Sequence, residues 1–453
     1  MLTGSVRFHA ALAAAALVAL PWLGGQQSTG HQSAAPGHQS AAGGLVSRAR
    51  AGPGPGAAVQ VRADEQAQLK SINAPAAWRV SQGRGVTVGI LDTGVDASAA
   101  DLSGSVSTGP DYTQGANPPG YQPPHLHGTF IASLIAGHGN GPGRADGVIG
   151  VAPAARVLSV RVILDDQEPG VGPYNTNPRF ANAIGRGIKY AASHGAAVIN
   201  MSLGSVHPTS AMQAALAYAV SRGVVVVASA GNSGAPGQAY TPYSYPASFA
   251  GVLSVAAVDQ TGARATFSDR NSSVVLSAPG IEVIGAGPSG TYLQASGTSP
   301  AAAFVTGVAA LIRSAYPRLS PAQVEQAMIS SAARRPAAGY SPATGFGEVD
   351  AAAALRAAGL LSRDSPEAGL AAGRHFGGAV PGPVQVTHRN EARIAALGGI
   401  GAVGAAGFLA ALAVLAVLTM RGLRGRNRPA SAQSVAQPET PGGPAPTGTE
   451  TGP

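Results

Sequence analysis

The stretch VTVGIL, residues 86–91, decides the fold class of this protein. It is a short run of mostly β-branched and aliphatic residues, and such a run predicts a strand that is buried on both faces. Similar runs follow at residues 196–203 (AAVINMSL), 224–230 (VVVVASA) and 251–258 (GVLSVAAV). Helical patterns lie between them, at residues 180–192 and 211–221. This alternation predicts an α/β fold: a doubly wound, mostly parallel sheet with helices on both faces.

Composition narrows the functional classes. A chain of 453 residues that is 45% hydrophobic can bury the core of one large domain. The formal charge of +8 comes from scattered arginines without interleaved aromatic residues, so no nucleic-acid partner is expected. The absence of cysteine excludes disulfides, thiolate metal sites and a cysteine nucleophile. No cofactor or metal site is predicted, and calcium binding stays open because the carboxylates are few and unpatterned.

Both ends of the chain carry targeting signals. Residues 1–25 predict a signal peptide, because basic residues precede an apolar stretch too short to span a bilayer. Residues 394–420 contain no charged residue and predict one transmembrane helix; the alternative is a buried core helix. Arginines follow this segment at once, which predicts a cytoplasmic C-terminus. The expected localisation is the cell membrane, single-pass, with the main domain on the extracytoplasmic side.

The remaining segments differ in composition. Residues 26–60 repeat GHQSAA and predict a flexible low-complexity tether; metal binding by the repeated histidines is the alternative. Residues 61–357 are predicted to form the folded domain. Residues 358–393 predict a Gly/Pro-rich linker, and residues 421–453 predict a disordered cytoplasmic tail.

Four polar residues follow strands or begin helices. Ligands of such sheets bind beyond the carboxyl ends of the strands, so these positions are candidates for a site. Asp92 follows the strand VTVGIL, and Asn232 follows the strand VVVVASA. His127 opens the helical run HGTFIASLIAG, and Ser299 lies in GTSPA ahead of an alanine-rich helix. Each has a plain structural alternative: an Asx turn, a turn, a structural histidine and a helix N-cap.

The order of these residues resembles a known family. The segments ILDTGVD, HGTFIASLIAG, GVAPAARV, VINMSLG, VVVVASAGNSG, SYPAS and SGTSPAAAFVTGVAAL resemble, in this order, the signature blocks of subtilisin-like serine peptidases, the subtilase family. The predicted signal and membrane anchor make the chain most similar to the mycosins, subtilases associated with type VII secretion in actinobacteria.

The resemblance implies a membrane-anchored serine endopeptidase. Ser299 would be the nucleophile as well as a helix cap, His127 the general base and then acid, and Asp92 the group that orients the imidazole. Asn232 would donate to the oxyanion. The segment Ser202, Leu203 and Gly204 would pair with extended polypeptide substrates.

Two other functions are compatible with parts of the sequence. The chain could be a structural or regulatory subunit of a type VII-like secretion complex, in partnership with other subunits and independent of proteolysis. An α/β-hydrolase esterase is disfavoured by the order of the triad and by the absence of a G-x-S-x-G motif.

Overall fold

A computed structural model describes residues 48–51, 55–364, 403–418 and 421 of the chain. The strands are β1 (Arg48–Ala51), β2 (Thr87–Asp92), β3 (Val106–Asp111), β4 (His138–Asn140), β5 (Asp146–Ile149), β6 (Arg156–Arg161), β7 (Ala196–Met201), β8 (Val225–Ser229), β9 (Val252–Val258), β10 (Val274–Pro279), β11 (Val283–Ala286) and β12 (Tyr292–Ala295). The helices of the same part are α1 (Pro55–Ser71), α2 (Ala74–Ala77), α3 (Leu126–Ala136), α4 (Val171–Thr176), α5 (Ala183–Ser193), α6 (Ser210–Ser221), α7 (Thr298–Ala315), α8 (Pro321–Ser330) and α9 (Ala351–Asp364).

Seven strands form the central sheet, in the spatial order β10-β9-β8-β7-β2-β6-β3. All six neighbouring pairs run parallel. The predicted α/β fold is therefore confirmed, and the four strands read from the sequence all belong to this sheet. Because the strands are parallel, their carboxyl ends meet at one edge, where Asp92 ends β2.

The core has two layers, one on each face of the sheet. Along β8, Val225 and Val227 pack into the layer with α3 and α7, whereas Val226 and Ala228 pack into the layer with α5 and α6. Successive side chains of a strand point to opposite faces, so a strand covered on both sides must be apolar throughout. This requirement explains the uninterrupted valine run.

The N-terminal part of the domain begins earlier than the sequence indicates. β1 pairs with β12 in a three-stranded antiparallel sheet that also contains β11. In α1, Ala58 and Val61 are buried in a cluster with Tyr292 and neighbouring apolar residues. Residues 48–51 and 55–60 are thus structured, although the predicted tether extended to residue 60. Their partners are distant in the chain, so local composition did not indicate them.

The first and last parts of the predicted folded domain, residues 61–357, meet in space. The backbone N–H of Ala351 donates to Ile72 O at 2.8 Å, and Asn73 Nδ2 donates to Asp350 Oδ2 at 2.6 Å. Helix α9 then continues to Asp364, seven residues into the predicted linker (364 − 357).

The chain divides into two compact units, Met1–Glu367 and Ala368–Pro453. In the second unit, residues 403–418 are helical and exposed. The described residues include no helix with the length and apolarity to cross a membrane. The predicted span, residues 394–420, extends beyond the described part at both ends. The predicted signal peptide, most of the linker and the tail after residue 421 also lie outside it.

Candidate active site

Asp92 and His127 are in direct contact at the carboxyl edge of the sheet. Asp92 is the last residue of β2 and His127 the second residue of α3. His127 Nδ1 lies 2.6 Å from Asp92 Oδ1, and both residues are buried. A carboxylate oxygen accepts, so Nδ1 carries the proton and Nε2 is left as the acceptor. Nε2 is buried and has no hydrogen-bond partner among the described residues.

A close approach of α3 to the end of β2 makes this contact possible. Thr93 N donates to Asp92 Oδ1 at 2.7 Å, and Gly128 N donates to Thr93 Oγ1 at 3.0 Å. A Cβ atom on Gly128 would lie 2.0 Å from the carbonyl oxygen of Gly94. Only glycine allows the helix to lie this close, so the sequence HGT serves the geometry as well as the chemistry.

The surroundings of His127 favour the charged ring. Burial lowers the pKa of His127, but the charge of Asp92, the hydrogen bond to it and the charges of Asp165 and Asp166 act in the opposite direction and prevail. The pKa of His127 is therefore raised above its ordinary value. A ring that is more basic also holds the proton it takes from a nucleophile more firmly.

Ser299 is the second residue of α7 and is fully buried. The predicted N-cap role is wrong, because Gly297 occupies the N-cap position and the helix begins at Thr298. A capping residue has non-helical backbone angles, whereas Ser299 lies inside the first turn. Its position still places its backbone N–H at the positive end of the helix dipole.

Ser299 also contacts the segment after β7. Its hydroxyl donates to Ser202 O at 3.4 Å, and the Ser202 hydroxyl donates to Ser299 O at 3.1 Å. The first of these bonds is long, so it costs little to exchange for another acceptor. In this structure the Ser299 hydroxyl is thus bonded to the Ser202 carbonyl. His127 Nε2 makes no hydrogen bond among the described residues, so it is available to another group.

Asn232 is fixed against the start of α7. Its Oδ1 accepts from both the N–H and the hydroxyl of Thr298, at 2.9 Å each. Next to it, Ser233 N donates to Asp269 Oδ1 at 2.8 Å. Because Oδ1 is held by two donors, the amide nitrogen of Asn232 is the end that can serve an oxyanion.

The segment Ser202, Leu203 and Gly204 follows β7 without regular secondary structure. Ser202 and Leu203 are buried and Gly204 is half-buried. Just beyond it, Ser205 exchanges two backbone hydrogen bonds with Tyr245, at 2.8 and 2.7 Å, which is an antiparallel pairing. This pairing anchors the segment beside the Ser299 side of the site.

Three residues of the site were not predicted as functional. Thr298 lies inside GTSPA, and Asp165 lies in the loop shortly after β6, at the same edge of the sheet as Asp92. Both were therefore accessible in principle from position alone. Asp269 lies in a loop with no local pattern, so only the fold brings it to Ser233, the neighbour of Asn232.

The described residues contain no group of three or more His, Asp or Glu side chains placed to hold a metal ion. What they do contain at this edge is a buried aspartate bonded to a histidine, a serine at a helix start and a side-chain amide near that serine. These are the kinds of group that serine hydrolases use in catalysis.

Comparison with known proteins agrees with this class. The model of the "Subtilase family" matches residues 83–347, more than half of the chain, and the chain belongs to this family. Thermitase of Thermoactinomyces vulgaris is 38% identical over 245 residues, covering 54% of this chain and 81% of thermitase. Subtilisin DY of Bacillus licheniformis is 38% identical over 255 residues, 55% of this chain and 85% of that protein. The chain is thus a subtilase peptidase, as its sequence predicts.

Solved structures extend the likeness to mycosins. MycP1 from Mycobacterium smegmatis has a TM-score of 0.55 and 28% identity, covering 64% of this chain and 84% of that one. The MycP3 protease from the type VII (ESX-3) secretion system has a TM-score of 0.54 and 33% identity, covering 64% and 87%. The predicted similarity to mycosins is confirmed.

Proposed function

We propose that this subtilase is a membrane-anchored serine endopeptidase that acts outside the cytoplasmic membrane and uses Asp92, His127 and Ser299 as its triad. The observation that carries the proposal is the buried 2.6 Å bond between Asp92 and His127, which leaves the unpartnered Nε2 of the ring as a base. A serine hydroxyl is a weak nucleophile until such a base takes its proton.

The proposed reaction uses these residues in turn. Ser299 Oγ attacks the carbonyl carbon of a peptide bond while His127 Nε2 takes its proton. The negative charge moves to the carbonyl oxygen, where Asn232 Nδ2 and the backbone N–H of Ser299 donate to it. His127 then gives the proton to the leaving amine, and an acyl-enzyme remains on Ser299. Water, deprotonated by the same ring, hydrolyses this ester and restores the hydroxyl.

Extended polypeptides are the proposed substrates. The segment Ser202, Leu203 and Gly204 lies at the start of a pairing already made between Ser205 and Tyr245. A substrate strand that pairs with this segment would bring its scissile bond to Ser299, which contacts Ser202 directly. Folded substrates cannot offer such a strand, so unfolded segments would be preferred.

The proposed location rests on the sequence at the two ends of the chain. A signal peptide at residues 1–25 would direct export, and a helix at residues 394–420 would anchor the protein. The arginines from Arg421 onward would remain on the cytoplasmic side. This orientation is tested by adding a protease to spheroplasts that carry the protein with a C-terminal tag. The tag should be protected, and the main domain should be degraded.

A fluorophosphonate probe tests the catalytic proposal. The full chain is labelled and the modified residue located by mass spectrometry. Label is expected on Ser299, and it should disappear in Ser299→Ala and His127→Ala. His194→Ala is the matched control, since His194 is an exposed histidine at the end of α5. A folded wild-type protein without label on Ser299 contradicts the proposed triad.

A second function, as a structural or regulatory subunit of a type VII-like secretion complex, is favoured by the likeness to MycP3 of the ESX-3 system and to MycP1, described as an essential component of the ESX-1 system. Purification in mild detergent tests it. A complex that persists with Ser299→Ala supports a role independent of proteolysis, and isolation of the protein alone from its native membrane argues against it.

A further inference from the structure

The first turn of α3 is capped from a distant part of the chain. His125, at the N-cap position, has left-handed backbone angles (φ 52°) and makes no side-chain cap bond. Asp165 supplies the cap instead: Leu126 N donates to Oδ2 at 3.0 Å and His127 N donates to Oδ1 at 3.1 Å. One carboxylate thus satisfies two first-turn N–H groups, and one of them belongs to the proposed general base.

Asp165 is itself held firmly. Its backbone N donates to Glu168 Oε1 at 2.9 Å, and Glu168 N donates back to Asp165 O at 2.9 Å. Both carboxylate oxygens of Glu168 accept from Arg161 Nη2, at 2.8 and 2.6 Å. Arg161 ends β6 in register with Asp92 at the end of β2. Two adjacent strand ends therefore fix the two carboxylates that are hydrogen-bonded to His127, Asp92 to its ring and Asp165 to its backbone.

A carboxylate is a costly way to cap a buried helix start. Asp165 is only 7% exposed, and burial raises its pKa, opposed by the bonds and charge it shares with α3. A neutral serine or asparagine would cap the helix without this cost. What the neutral residues would lack is negative charge beside the ring, which favours the imidazolium that forms during catalysis.

We propose that Asp165 is a positioning residue of the peptidase: it fixes the backbone of His127 and favours the charged form of its ring. The inference rests on the proposed role of His127. Asp92 from β2 and Asp165 and Asp166 from the loop after β6 are the charged groups that act on the ring. Among the described residues, Asp166 makes no hydrogen bond to α3 and is exposed, so it is the matched control.

The first test measures the ring without turnover. In the full chain carrying Ser299→Ala, the His127 imidazole is titrated by NMR with ¹⁵N-labelled histidine. Asp165→Asn should lower its pKa by roughly 0.5 to 1 unit, and Asp166→Asn should lower it by less. Because no cleavage is needed, this result does not depend on whether the protein hydrolyses peptides.

The second test uses the active full chain with denatured casein as the probe. Asp165→Asn should reduce kcat by about tenfold or more while KM stays within about twofold, because the residue acts through His127 and not on the substrate. The acid limb of the kcat/KM profile should move to lower pH. Asp166→Asn should keep kcat within about twofold of the wild type.

Asp165→Ser is the second variant, since serine also removes the charge but has a smaller side chain with one hydroxyl oxygen in place of the two carboxylate oxygens. If Asp165→Asn is poorly folded, Asp165→Ser should retain the higher kcat of the two. Its His127 pKa should be lowered as in Asp165→Asn. A folded Asp165→Asn or Asp165→Ser protein with wild-type kcat and wild-type His127 pKa overturns the proposal.

Discussion

Thr298 holds Asn232 by two hydrogen bonds, from its backbone N–H and from its hydroxyl, each 2.9 Å to Asn232 Oδ1. The same hydroxyl accepts from Gly231 N at 3.2 Å. Thr298 directly precedes Ser299, so the element that presents the nucleophile also orients the amide proposed for the oxyanion. A change at Thr298 should therefore affect the transition state through Asn232.

Replacing Thr298 by valine keeps the shape but removes the hydroxyl. Asn232 would keep one of its two bonds and Gly231 N would lose its acceptor, so kcat should fall by roughly tenfold, equivalent to about 1 to 2 kcal/mol. KM on denatured casein should change little. Thr298→Ser keeps the hydroxyl and should retain most of the activity. Equal losses in the valine and serine variants would contradict an orienting role for the hydroxyl.

Asn232→Ala removes the proposed oxyanion donor itself. A loss of about 10² to 10³ in kcat is expected, which is the magnitude known for the asparagine donor of a subtilisin and is adopted here. Labelling by fluorophosphonate should slow as well, because the probe also forms a charged oxygen. A variant that folds and cleaves casein at the wild-type rate would remove Asn232 from the mechanism.

Gly128→Ala should destabilise the protein, although alanine has a higher helix propensity than glycine. Alanine usually stabilises a helix interior by roughly 0.5 to 1 kcal/mol relative to glycine. Here the new Cβ would lie 2.0 Å from Gly94 O and 3.3 Å from Asp92 Cβ, so α3 must move away from β2. We expect activity to fall at least tenfold and the melting temperature to drop.

The control for this substitution is Gly172→Ala in α4, where a Cβ atom would meet nothing within 4 Å. Thermal unfolding and casein hydrolysis of the two variants give the comparison. The steric argument fails if Gly128→Ala is as stable and as active as Gly172→Ala.

The titration of Asp101 should lower the free energy of unfolding as the pH rises from about 4 to 6. Burial raises its pKa to about 6, in spite of the bond from Asn140 Nδ2 at 2.7 Å. Between these pH values the folded state keeps a proton that the unfolded chain releases, so the free energy of unfolding decreases as the pH rises. Asp101→Asn removes the titration and should raise the free energy of unfolding at pH 7 by on the order of 2 kcal/mol.

The opposite sign is expected at Asp259, a half-buried residue whose pKa is lowered, chiefly by the hydrogen bond from the Thr261 side chain. Its contribution is present above the unfolded pKa and is lost as the pH falls. Urea unfolding of Asp101→Asn and Asp259→Asn at about pH 3, pH 4.5 and pH 7 distinguishes them, because the Asp259 contribution is lost only as the pH falls below its ordinary pKa of 3.8. Identical pH dependence in the wild type and Asp101→Asn would contradict the assignment of the titration to Asp101.

The sheet could be predicted because a parallel sheet covered on both faces requires aliphatic strands. The run at residues 224–227 has no polar interruption, since its side chains enter two core layers alternately. Asp92 and Asn232 could be predicted as candidates for the same reason: a polar residue directly after such a strand lies at the edge where parallel strands end together.

Other features depend on contacts between distant segments. The sequence around β1 is rich in glycine, proline and alanine, and its strand exists because β12 offers a partner. The cap that Asp165 provides to α3 joins residues 38 and 39 positions apart. The direction of the Ser299 hydroxyl depends on the Ser202 carbonyl, which only the folded chain brings near.

The bond between Ile72 and Ala351 closes the domain directly after α1, so the first turns of α1 are an addition to an already closed body. The first turns of α1 are therefore an external support that truncation can remove. The supports of these first turns are local: Glu65 accepts from Ile149 N at 3.0 Å, and Ala58 and Val61 pack with Val148 and Tyr292. Near the end of the helix, Leu69 is buried in the main core. A chain shortened to begin near residue 66 should thus loosen first at β5 and β12, while the sheet that carries the proposed triad keeps its own closure.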